Sequence, residues 1–157
     1  EDVINAQISG HHDGSADDDK GMMLFYTNGG SGSVQQLKIT NDGRGLSQFT
    51  AKVWCRFDGA TSLDDSHNVS SVTDHAGGQW TVNFANALGN ANYVPAFAVS
   101  SDNWGNGARS GSTMMIDHTV AAPTTTALRV VNAFGASSSL TAGYGDLAHA
   151  CITIFGD

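Results

Sequence analysis

AKVWCRFDG, residues 51–59, decides the fold. Apolar and polar side chains alternate along it, with Ala51, Val53, Cys55 and Phe57 on one face and Lys52, Trp54 and Arg56 on the other. A period of two is the mark of a half-buried β-strand, and the first face is expected to line a core. Asp58-Gly59 then supplies turn chemistry. Further strand-like runs follow, each bounded by Gly, Asn, Asp or Pro: NVSSVTD (68–74), QWTVNFA (79–85), YVPAFAVS (93–100), STMMID (112–117), TALRVVN (126–132), SSSLTA (137–142) and LAHACITIFG (147–156). Eight short strands in just over a hundred residues predict an antiparallel, jelly-roll-like β-sandwich over 51–157. Alternation groups Trp80, Val82 and Phe84 inward, and Leu128 with Val130, leaving Arg129 on the solvent side. No stretch supports a three-turn helix, although ANALGNANY at 85–93 has room for one turn.

Upstream, MMLFYT (22–27), NGGSGS, VQQLKIT (34–40) and NDGRG read as strand, turn, strand, turn, so 21–50 is expected to form a hairpin. A hairpin alone has too little core to be stable. Residues 1–20 hold no sustained period and are expected to form a loop or extended arm. The fold class is therefore all-β.

Gly, Ser, Thr and Asn make up more than a third of the chain while charged residues are 14%, a turn-rich composition with 40% apolar residues for a core. The net charge of −8 has the wrong sign for gripping a phosphate backbone, so no nucleic-acid partner is expected. No apolar run approaches the roughly 20 residues that span a bilayer as a helix, and membrane insertion is not expected. Cys55 and Cys151 do not make a disulfide framework, and neither has a second cysteine at metal-ligand spacing. A single bridge between the first and last strands of the sandwich and two buried free thiols are the alternatives.

The segment GMMLFYTNGGSGSVQQLKITNDGRG (21–45) resembles the strand-turn-strand element that precedes the heads of bacteriophage tail fibres. The words K-V-W-C-R-F-D-G (52–59), H-N-V-S-S-V-T-D (67–74) and W-T-V-N-F (80–84) are similar to the β-rich C-terminal module of such fibres. The resemblance covers residues 21–101; beyond them the likeness is a strand series closing on A-C-I-T-I-F-G. Departures are Trp80 in place of an expected Tyr, cysteines at positions often aliphatic, and the insertion-like SDNWGNGARSG. The resemblance implies a homotrimeric, non-enzymatic fibre-tip adhesin on the virion, outside the cell. It would carry a short trimeric β-stalk over 21–50, a receptor-binding head, and contacts to other tail components. Three hairpins around one axis can bury together what one must expose. Met22, Leu24, Tyr26, Leu37 and Ile39 are the candidate trimer contacts. Met22/Met23 and Met114/Met115 fit the same picture, because alternation turns one of each pair outward and an outward Met needs a partner.

The loop SDNWGNGARSG, 101–111, sets Trp104 among Asp102, Asn103, Asn106 and Arg109. An aromatic face stacks on the apolar side of a sugar ring while amides and carboxylates hydrogen-bond its hydroxyls. The competing reading tucks Trp104 under the loop or against a neighbouring subunit. ASSSLTAGYGD, 136–146, adds Tyr144 in a Gly-flanked turn. These residues are the candidate receptor contacts, for a cell-surface glycan or protein. The alternatives are a purely structural fibre or decoration domain and a small glycan hydrolase or lyase. For the latter, Asp64, Asp65 and His67 with Asp74 and His75 are the possible acid/base groups, against plain turn chemistry. His11, His12, Asp13, Asp17, Asp18 and Asp19 cluster donors without the order of a calcium loop or a helical His pair, so neither metal nor cofactor is expected. Asn68-Val69-Ser70 matches a glycosylation acceptor but lies in a strand word.

Overall fold

The computed structural model describes residues 5–12, 19–47, 49–100, 109–136 and 142–156, with 109–111, 134–136 and 142 as backbone alone. Every regular element among them is a β-strand, and the paired strands run antiparallel. The chain divides within one strand into two compact units, Glu1–Lys52 with Phe155–Asp157, and Val53–Ile154.

The first unit holds a four-stranded sheet in the order β1 (Ala6–His12), β2 (Gly21–Asn28), β3 (Ser33–Ile39), β4 (Gly45–Leu46). Residues 6–12, expected within an arm, thus have a regular partner along the whole of β2. Directly opposed residues share a sheet face. Phe25 stands between Ile8 and Leu37, and Met23 between Gly10 and Ile39. Leu24 stands on the other face, opposite Ser9 and Lys38. The proposed interface set therefore divides: Met22, Leu24 and Tyr26 lie on one face, Leu37 and Ile39 on the other with Met23, Phe25 and Ile8.

The second unit begins on β5 (Ala51–Phe57) and contains β6 (Leu63–His67), β7 (Val69–Ala76), β8 (Gln79–Phe84), β9 (Val94–Ser100), β10 (Arg109–Ile116), β11 (Ala127–Ala136), β12 (Ala142–Tyr144) and β13 (His149–Phe155). One sheet runs β6-β5-β13-β9; the other runs β10-β11-β8-β7 with β12 also on β11. Val53, Cys55, Phe57, Ala150, Ile152 and Ile154 from the first meet Val72, Trp80, Val82, Phe84, Leu128 and Val130 from the second in one core, which makes a sandwich. Phe57 and Trp80 touch edge to face, 5.6 Å between centroids at 74°. Each fully buried side chain of this size contributes about 1.5–3 kcal/mol. Pro95 lies on β9, at a sheet edge where its missing N–H is tolerated.

Several expectations change. Arg129 is buried, 9% exposed, because β11 is flanked on both edges; its Nε donates to Asp117 Oδ2 at 3.3 Å and its Nη2 to Gln79 Oε1 at 3.0 Å. Lys52 alternates to the outer face yet is also buried, its Nζ donating to the Ser47 carbonyl at 2.6 Å. The 85–93 stretch makes no helical turn. Leu88 is buried with its N–H on the Thr125 carbonyl, Asn90 Oδ1 takes the Asn92 N–H, and the Tyr93 hydroxyl reaches the Thr124 and Ala127 carbonyls. Asn68 has a positive φ of 57° and exchanges two hydrogen bonds with the Asn86 backbone, so it bends the chain from β6 to β7.

Both cysteines are free. Cys55 faces the core with Val53 and Phe57, whereas β13 buries Ala150, Ile152 and Ile154 and turns Cys151 to its outer face. Thiols on opposite faces of one sheet cannot be bridged without moving backbone.

Candidate functional site

Among the described residues of the sandwich, Tyr144 and Trp54 mark two surfaces that carry an aromatic side chain outward. The first is the end of the second sheet built from β10, β11 and β12. Tyr144 opposes Ala133, which opposes Thr113, so all three share the outer face with Val131 and Met115. Tyr144 is 61% exposed. Its position is fixed from below: Asn132 Nδ2 donates to the Gly145 carbonyl at 2.8 Å, the Gly78 N–H donates to Asp146 Oδ1 at 2.7 Å, and the Gly59 N–H donates to the Leu147 carbonyl at 2.9 Å. Gly78 permits this approach through a φ of +74°, and a Cβ there would lie 2.4 Å from the Gly145 nitrogen. Arg109 opens β10 with its backbone opposite Ala136, so it belongs to the same end of the sheet as Tyr144. Asp102, Asn103, Trp104 and Asn106 lie outside the described residues.

The second surface is the outer face of β5 and its neighbours. Trp54, 37% exposed, stands opposite His67. Arg56 stands opposite Asp65, and a bulge just beyond adds Asp64 to the row. Arg56 Nε lies 3.0 Å from Asp64 Oδ2, and His149 Nδ1 lies 3.5 Å from the same oxygen. Asp65 Oδ1 accepts the Ser66 N–H at 2.8 Å. The terminal amino groups of Arg56, the second oxygen of Asp65 and the His67 ring have no partner among the described residues. Alternation along AKVWCRF placed Trp54 on this face from the start. Asp64, Asp65 and His67 were singled out in the sequence as possible acid/base groups, but their place beside Trp54 was not legible, because Asp64 and Asp65 interrupt any apolar alternation in β6.

The possible acid/base groups do not converge. Asp64, Asp65 and His67 belong to β6, while Asp74 and His75 lie on β7 in the other sheet, where His75 Nε2 meets Thr81 Oγ1 at 2.9 Å. In the first unit His11, His12 and Asp19 line an open cavity of about 730 Å³ with Lys20 and Met22. Among the described residues no three His, Cys, Asp or Glu side chains gather closely enough to hold a metal ion. Asp13, Asp17 and Asp18 lie outside the described residues.

No protein-family model, curated protein or solved structure matches this chain.

Proposed function

We propose that this chain is a homotrimeric fibre-tip adhesin of the virion, which binds a cell-surface glycan or protein during adsorption and performs no catalysis. The carrying observation is the apolar face of the four-stranded sheet. Ile8 is 66% exposed, Met23, Val34 and Ile39 are exposed, and Phe25 and Leu37 are half-buried, all on one side. From residue 5 to residue 47 the buried described residues are Leu24 and Thr40. A sheet with so little core needs more apolar contact than it makes by itself. Further copies of the same chain supply it most simply, since three such faces can close on one axis. The exposed, backbone-anchored Tyr144 supports receptor contact at the β10–β11–β12 end, and the resemblance of 21–101 to tail fibres supports the setting.

Light scattering behind a sizing column tests the assembly: three times the 16.3 kDa chain mass is expected, and a monomer overturns it. Labelled trimer added to a panel of bacterial strains tests the function. It should coat a susceptible strain and block adsorption of virions carrying the fibre; a trimer that coats none is a structural fibre domain instead.

A further inference from the structure

The row around Trp54 has a composition that neither a solvated strand face nor the centre of a subunit interface explains. Solvated faces seldom carry a large indole, and interface cores exclude charge. Here one aromatic, Trp54, is surrounded by Arg56, Asp64, Asp65 and His67. Trp54 is the one exposed large apolar side chain on β5 and β6, and a single ring system falls well short of the roughly 800 Å² per partner in a standard protein interface. The hydrogen-bonding capacity is large, fixed on strands, and partly unspent.

From this row we infer a binding site for a neutral saccharide. Trp54 supplies the platform for the apolar face of one pyranose. The terminal amino groups of Arg56 donate to ring hydroxyls, and the free oxygen of Asp65 accepts from a neighbouring one, the donor–acceptor pairing that a vicinal diol offers. Asp64 holds Arg56 in place through Nε at 3.0 Å and so acts as a positioning residue. Two carboxylates stand against one guanidinium in the row, and the whole chain carries −8, so sialylated or phosphorylated sugars are disfavoured. The inference deepens the adhesin reading by naming a receptor class, and it rests on that reading for its biological setting alone.

NMR titration of the isotope-labelled full chain with glucose, galactose, mannose and N-acetylglucosamine oligomers tests the site, with a sialylated oligosaccharide as the anionic comparison. At least one neutral sugar is expected to shift the Trp54 indole N–H and the amides of 54–56 and 65–67 at millimolar concentration, with the sialylated sugar weaker. Trp54→Ala should weaken binding by roughly tenfold, Trp54→Phe by less, and Val120→Ala, in the exposed turn after β10, should leave it unchanged. The inference is overturned if no neutral sugar binds, if the shifts map elsewhere, or if Trp54→Ala binds as well as the parent. It is also overturned if Trp54→Ala alters the oligomeric mass, which would make Trp54 a subunit contact. Thermal melting of each variant separates lost binding from lost folding. Sugar binding without cell binding removes the adhesin reading and leaves this site standing; cell binding without sugar binding does the reverse.

Discussion

Asn132 holds both sides of one close contact: its side-chain amide donates to the Gly145 carbonyl at 2.8 Å, and its backbone N–H donates at 2.7 Å to the carbonyl of Gly78, which packs against Gly145. One buried residue thereby couples the β7–β8 turn to the segment that presents Tyr144. Asn132→Ala leaves a buried carbonyl unpaired and should cost about 1–3 kcal/mol in chemical denaturation. Hydrogen exchange should accelerate at Gly143–Asp146. Gly78→Ala should be more damaging, through both the positive φ and the clash.

The Arg129–Asp117 pair is buried on both sides, 3.3 Å apart. Removing one partner strands the other charge, so Arg129→Met should cost about 3–5 kcal/mol. Arg129→Met with Asp117→Leu should recover much of that loss. Denaturant melts of the two singles and the double give the coupling directly.

Burial, reinforced by the neighbouring Cys151, pushes the Cys55 thiol up to about 12 from 9.0, and burial pushes the Tyr93 hydroxyl up to about 12 from 10.0. The unfolded chain releases these protons first as pH rises. Their contribution to stability is therefore complete below pH 9 and is lost progressively between 9 and 12. Melting temperature should fall across that window, less steeply in Cys55→Ala with Tyr93→Phe. Native alkylation at pH 8 should label Cys151 before Cys55, and mild oxidation should leave no intramolecular bridge.

Register divides the β2–β3 sheet into an apolar face and a mixed one, and the two should respond differently to charge. For the trimer proposed above, Ile8→Lys or Phe25→Glu should shift the mass in light scattering toward that of a monomer. Gln7→Lys, on the opposite face beside Tyr26, should not.

Much of the sandwich was legible because half-buried strands advertise themselves by alternation. Val53, Cys55 and Phe57, and Trp80, Val82 and Phe84, all face the core as read. What escaped was set by neighbours rather than by the strand itself. Arg129 alternates outward, yet the Asp117 and Gln79 side chains enclose it. β6 carries one core side chain, Leu63, and is a strand because β5 pairs with it. Residues 6–12 show no period because apolar Ile8 is followed by Ser9, Gly10 and two histidines, yet they pair with β2 throughout. For the candidate surfaces, sequence supplied Trp54 and Tyr144 as outward aromatics or turn residues. The row that frames Trp54 depended on the pairing of β5 with β6, and the place of Asp64 in it on a bulge that no local pattern announces.

The strand on which the sandwich begins is an interior one: β5 lies between β6 and β13, with hydrogen-bond partners on both edges. Tension delivered along the chain through residue 50 would pull β5 lengthwise between two ladders. Such a pull must slide many hydrogen bonds past their partners together, whereas a terminal strand on an edge peels one bond at a time. Under such a pull the sandwich resists as a sheared joint, and its failure rate is set by the height of that barrier rather than by its equilibrium stability.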